Sequence, residues 1–126
     1  MRALIIAGLM VFTGTTASLA QDAAAGEKVF AVCKACHQIG PGAKNVVGPE
    51  LNGLNGRHTG AVEGYNYSDA NKNSGLTWDE ATFLEYITAP QKKIPGTKMT
   101  FAGVPDETDR ANLWAFLAQF KADGSK

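Results

Sequence analysis

Cys33-Lys34-Ala35-Cys36-His37 is the stretch around which the chain is organised. Two cysteines separated by two residues, with a histidine directly after the second, form the pattern of a c-type haem attachment site. On a helical turn, residues three apart share a face. Both thiols can therefore reach the two vinyl groups on one edge of a porphyrin and form thioethers. His37 is then carried beneath the ring, where an imidazole nitrogen can bind iron. The chain's two cysteines both lie in the motif, so none remains for a structural disulfide.

Cys-x-x-Cys has other readings. A thiol redox site belongs in a βαβ context, and no such pattern surrounds Cys33. A structural zinc site takes four N/S ligands. His58 is the one other residue that could complete such a set, and only across a long loop. Haem attachment is the reading that the pentapeptide and its surroundings favour.

Upstream lies a targeting segment, residues 1–20. Arg2 supplies the positive charge, residues 3–12 the apolar stretch, and Ser18-Leu19-Ala20 the small residues of a cleavage site. The apolar run is shorter than the roughly 20 residues that span a bilayer. Cleavage after Ala20 leaves residues 21–126 as one domain. No later segment is apolar enough to span a membrane, so the mature chain is expected to be soluble. A secretory signal also suits the motif, because bacterial c-type haem is attached outside the cytoplasm.

The mature chain carries 11 Lys and Arg against 12 Asp and Glu. Residues 28–49 hold three lysines, Lys28, Lys34 and Lys44, and no acid. Residues 86–105 hold three more, Lys92, Lys93 and Lys98, again with no acid. Positive charge thus gathers on two stretches and the remainder is acidic. Nothing here reads as a nucleic-acid-binding surface.

The hydrophobic period predicts helices over 22–36, 77–89 and 106–122, with a short turn over 68–73. Gly26, Val29, Phe30 and Cys33 form the buried stripe of the first, with Asp22 as its N-cap. Gly26 costs about 1 kcal/mol against alanine in a helix, so a close helix crossing is expected to explain it. Thr77 and Glu80 read as a capping box, Phe83, Leu84 and Ile87 as the next stripe, and Pro90 as its stop. Asp106 caps the last helix, whose face is Leu113, Phe116, Leu117 and Phe120. Residues 40–64 are rich in Gly, Asn and Pro and read as a packed Ω-type loop that wraps an object. No strand pattern is evident.

For the second side of the iron the mature chain offers His58 and Met99. A lone methionine is commonly core filling. Met99, however, ends a Pro-Gly turn between Lys98 and Thr100, away from any helical stripe. His58 follows Arg57 in the Gly/Asn-rich loop, where a solvent-facing histidine is the default. Residues 91–100 show few apolar anchors, which predicts a weakly held loop.

Four stretches carry a family resemblance: the pentapeptide, Gly48-Pro49-Glu50-Leu51-Asn52-Gly53-Leu54-Asn55-Gly56-Arg57, Gly64-Tyr65-Asn66-Tyr67-Ser68-Asp69-Ala70-Asn71-Lys72-Asn73, and Ile94-Pro95-Gly96-Thr97-Lys98-Met99. In order and spacing they resemble the class I c-type cytochromes, in particular the mitochondrial-like bacterial c2 type, over essentially the whole mature chain. The resemblance implies an all-α, single-domain cytochrome c fold of helices and Ω-type loops around one covalent haem c. It implies thioethers at Cys33 and Cys36 and axial ligands His37 and Met99. The Pro49 carbonyl is then the acceptor for the second imidazole N–H. Arg57, Tyr67 and Trp78 would surround the propionates. Asn71, Tyr86 and Thr97 would form the hydrogen-bond network on the methionine side. Gly26 and Phe30 would cross Leu113 and Phe116.

Two departures stand out. Phe30 lies one residue closer to Cys33 than in the mitochondrial proteins, and the acids Asp106, Glu107 and Asp109 replace family lysines. The function implied is periplasmic one-electron transfer by a monomer, without enzymatic activity. The donor would be a membrane quinol-oxidising complex and the acceptor an oxidase, a reductase or a photosynthetic reaction centre. Each docking would be transient and electrostatic. A dedicated acceptor of a periplasmic dehydrogenase is the alternative, with a haem peroxidase or sensor behind it.

Overall fold

The computed structural model describes Gly14 and residues 21–126; the targeting segment, Gly14 apart, lies outside the described residues. Five helices follow in order: α1 (Ala23–Phe30), α2 (Asp69–Lys72), α3 (Glu80–Thr88), α4 (Pro90–Lys93) and α5 (Glu107–Leu117). Among the described residues there is no strand, only one antiparallel bridge between His58 and Thr77. The all-α expectation therefore holds.

The crossing of α1 and α5 explains the helical glycine. A Cβ on Gly26 would stand 1.9 Å from the Asn112 carbonyl oxygen and 2.9 Å from the Phe116 Cβ. The backbones meet because Gly26 offers no side chain at that point. Around the contact, the Phe30 and Phe116 rings lie 5.3 Å apart. Asp22 caps α1 by accepting from Ala24 and Ala25 N–H, and its own N–H donates to buried Asn112 Oδ1 at 2.9 Å. Leu113, Phe116, Leu117 and Phe120 are all buried, as their period predicts, and Trp114 joins them.

The structure corrects several boundaries. α1 ends at Phe30 rather than near Cys36. Residues 31–36 continue as tight turns, with Cys33 N–H donating to Phe30 O and His37 N–H to Cys33 O. The N–H groups of residues 31–33 and 36 bond three residues back instead of four, which tightens the chain out of the α-helix, and tertiary bonds anchor it just beyond. The Cys36 carbonyl accepts from Gly48 N–H at 2.7 Å, and Gly40 N–H donates to Asn52 Oδ1.

The capping box is also wrong. Asp79 caps α3 through Thr82 N–H at 2.8 Å, while the Thr77 hydroxyl pairs with His58 Nδ1. Thr77 is drawn into the bridge to His58 and is no longer at the helix end. Tyr86 rather than Leu84 completes the buried face of α3. Pro90 ends α3 and opens α4, where its fixed φ and missing N–H suit the first helical position. α5 stops at Leu117, and Phe120 reaches the core from the turn beyond it.

The long loop is anchored at several points. The buried Asn52 amide accepts from Gly40 N–H and donates to Gly40 O, a reciprocal pair that closes its first turn. Gly53 N–H donates to Phe120 O. Residues 56–59 pair with 76–78 through Gly56 N–H to Trp78 O, Trp78 N–H to Arg57 O and Thr59 N–H to Leu76 O. This pairing sets Arg57 beside Trp78. Residues 91–100 are better anchored than expected, because Ile94 is 2% exposed and Thr97 is buried.

Candidate functional site

A cavity of about 340 Å³ opens among these elements. The residues that the family resemblance assigned to the haem all line it: Cys33, Cys36, His37, Pro49, Arg57, Tyr67, Asn71, Trp78, Tyr86, Thr97 and Met99. Apolar side chains close the rest, among them Phe30, Leu51, Leu54, Phe83, Leu113 and Leu117. His58 is not part of the lining; it is exposed and hydrogen-bonded to Thr77.

On one wall His37 Nδ1 lies 2.7 Å from the Pro49 carbonyl oxygen. A carbonyl only accepts, so Nδ1 carries the proton and Nε2 keeps its lone pair. Burial, opposed by the bond to Pro49, lowers the His37 pKa and favours the neutral imidazole that a metal requires. Gly48 makes room for the ring: a Cβ there would lie 2.4 Å from His37 Cε1. Gly48 fell within the Gly/Asn/Pro-rich loop of residues 40–64, and its packing against the imidazole was not legible there.

The same wall argues against thiol chemistry. Burial, then the neighbouring Cys36, push the Cys33 thiol up to about 11. A reactive redox cysteine needs the opposite shift. Among the described residues, no group of three or more His, Cys, Asp or Glu is placed to hold a metal ion, which removes the zinc reading.

One end of the cavity is polar. Arg57 donates from Nη1 to the Glu50 and Asn52 carbonyls at 3.0 and 3.1 Å, and lies 3.6 Å from a Glu50 carboxylate oxygen. Burial draws its guanidinium below the ordinary arginine range. It remains a cation set into an apolar cavity, suited to an anionic group. Tyr67 accepts from Val62 N–H at 3.1 Å. The Trp78 indole packs edge-on against Tyr86, with ring centroids 5.0 Å apart. Asn71 has a buried amide oxygen with no partner. An amide turned over at that position puts N–H groups where the oxygen now stands, free to donate to a bound group. Glu50 and Asn52 orient Arg57, a role that the sequence left unassigned.

Elsewhere in the lining the Met99 sulfur accepts from the Tyr86 hydroxyl at 3.3 Å. That hydroxyl also lies 3.4 Å from Thr97 Oγ1, which accepts from Met99 N–H at 3.3 Å. Gln91, unremarked in the sequence, donates to the carbonyls of Thr97 and Met99.

An apolar cavity lined by a cation, an imidazole and a thioether suits an amphipathic, dianionic porphyrin. With the paired cysteines at its edge, this fold and site define a c-type haem protein. Comparison with known proteins agrees. The cytochrome c family model matches residues 23–121. Cytochrome c2 of Rhodoblastus acidophilus is 73% identical over 107 residues, covering 85% of this chain and 100% of that protein. Cytochrome c2 of Blastochloris viridis is 61% identical over 123 residues, 97% of each chain. The structure of cytochrome cH from Methylobacterium extorquens superposes with a TM-score of 0.72 at 49% identity, covering 76% of this chain and 96% of that one. The chain belongs to the cytochrome c family, as a class I c-type cytochrome of the c2 type. Covalent haem c comes with that family, and the residues present fit it.

Proposed function

We propose that the protein is a soluble, periplasmic one-electron carrier in which His37 and Met99 are the axial ligands of the haem iron. The observation that carries this reading is the pairing across one cavity. Neutral His37, oriented by Pro49, lines it together with a thioether held by Tyr86. Cys33 and Cys36 would hold the haem covalently; Arg57, Tyr67 and Trp78 would receive its propionates, with Asn71, Tyr86 and Thr97 on the methionine side.

The bound haem supplies a one-electron couple at its iron. The chain sets where that couple lies. A thioether is a neutral, soft donor that favours the ferrous state, so Met/His ligation raises the potential above that of two imidazoles. Apolar walls act in the same direction, since the ferric form carries the extra charge. Met99 and His37 together leave no open position for substrate, which supports electron transfer over catalysis. The donor is a membrane quinol-oxidising complex of the bc1 type. The acceptor is a terminal oxidase, a reductase or a photosynthetic reaction centre. Among the described residues, no helix is long and apolar enough to cross a membrane. Exposed Lys34, Lys44 and Lys92 suit brief electrostatic docking of a monomer.

A redox titration followed by absorption spectroscopy tests the reading. One reversible one-electron step is expected, with a far-red thioether-to-iron charge-transfer band in the ferric state. A missing band together with rapid carbon monoxide binding to the reduced protein would favour a peroxidase or sensor instead. Exclusive reduction by one purified dehydrogenase would favour the dedicated-acceptor reading.

A further inference from the structure

Among the described residues only the Tyr86 hydroxyl is hydrogen-bonded to the Met99 sulfur, yet the backbone that carries the sulfur is tied from outside the cavity. Gln91 stands in α4 between Pro90 and Ile94, both buried, so its base is fixed. Its Nε2 donates to Thr97 O at 3.1 Å and to Met99 O at 2.8 Å. Both partners are acceptors, so the amide can face them only with its two N–H groups. The two carbonyls bracket Lys98 and Met99 in a segment with no regular structure of its own. From the opposite side, Lys98 Nζ reaches the Asn66 carbonyl and lies 5.5 Å from the centre of the Tyr65 ring.

We propose that Gln91 is a positioning residue for the axial methionine: its amide clamps the Met99 backbone and sets how readily an outside ligand displaces the sulfur. This rests on the reading of Met99 as the sixth ligand. Displacement requires the Met99 backbone to swing away from the iron. That movement breaks both Gln91 bonds before the incoming ligand gains anything. The clamp acts through the Thr97 and Met99 carbonyls, since Gln91 touches neither Tyr86 nor His37 by hydrogen bond.

The test is the rate of imidazole binding to the ferric protein, measured by stopped flow, with the far-red band and the reduction potential recorded on the same samples. Gln91→Glu keeps the shape, removes both donors and sets an anion against two carbonyl oxygens. Loss of the clamp is expected to speed imidazole entry by a factor of roughly 5–30, the range that one or two lost bonds produce. Helical circular dichroism should be unchanged. Gln91→Arg keeps N–H donors, stays protonated and so cannot bind iron itself; it is expected to restore the slow rate. Gln119→Glu adds the same charge at an exposed site beyond the end of α5 and should leave the rate alone. Where Gln91→Glu fails to accumulate folded, Gln91→Ala carries the same expectation without the charge. A wild-type rate in the Gln91 variants overturns the inference. So does equal acceleration by Gln119→Glu, or an Arg variant as fast as the Glu variant. A wild-type protein without the far-red band overturns the ligand assignment and the inference together.

Discussion

The Tyr86 hydroxyl donates to the Met99 sulfur across 3.3 Å, and the same oxygen lies 3.4 Å from Thr97 Oγ1. One buried phenol thus links the α3 helix to the loop that carries the thioether. Burial raises its pKa, opposed by the Thr97 contact, so the group stays an O–H donor above the usual tyrosine range.

Tyr86→Phe removes that donor and keeps the ring against Trp78. A sulfur relieved of a hydrogen bond gives more electron density to ferric iron. The reduction potential is therefore expected to fall, with a stability change of about 1 kcal/mol at most for the lost bond. Redox titration and a urea melt read the two effects. An unchanged potential would show that the contact does not tune the iron.

Met99→Ala should abolish the far-red charge-transfer band of the ferric protein and lower its potential. It should also admit carbon monoxide to the ferrous form within the mixing time. Spectra before and after ligand addition decide it. A retained band would move the sixth ligand elsewhere, and His58, exposed and bound to Thr77, is poorly placed to take over.

Gly26→Ala inserts a methyl group where the Asn112 carbonyl already stands. Better helix propensity contributes about 1 kcal/mol in its favour. Overpacking at a helix crossing costs about 1–3 kcal/mol, and more where backbone must shift. The variant is expected to be less stable in chemical denaturation, with α1 and α5 no longer closely packed. Equal or greater stability would mean that the crossing relaxes freely.

Lysines beside the cavity should govern docking. Lys34→Glu and Lys92→Glu are expected to slow association with an acidic redox partner more than Lys121→Glu does. All rates should converge as salt rises, because exposed charges are screened within about 10 Å at 0.1 M. Lys98 is the poorer probe, since its ammonium group is tethered to Asn66 and Tyr65. Stopped-flow rates against ionic strength give the answer, and equal slopes for all three variants would dismiss a polarised surface.

Much of this site could be read along the chain because its chemistry is local. Cys33, Cys36 and His37 are a contiguous motif whose spacing alone brings three groups to one edge. The stripes of α1 and α5 follow from periodicity, and Gly26 announced the helix crossing because glycine there has no local justification. Asp22 and Asp106 cap their helices as short-range rules require.

What the chain alone could not decide were the outcomes of competition between distant groups. Thr77 has the sequence of a capping residue, yet it pairs with His58, nineteen positions away, and Asp79 takes the cap instead. α1 ends at Phe30, where residues 31–33 bond back three residues instead of four, and Gly48 and Asn52 anchor the chain just beyond. Gln91 has no pattern at all; its role exists only because the loop returns Thr97 and Met99 to within hydrogen-bond reach. Local propensity differs by about 1 kcal/mol between alternatives, and a single tertiary hydrogen bond is of the same size. The motif and the helical faces were therefore set by the sequence itself, while boundaries, caps and the clamp on Met99 were settled by the packed fold.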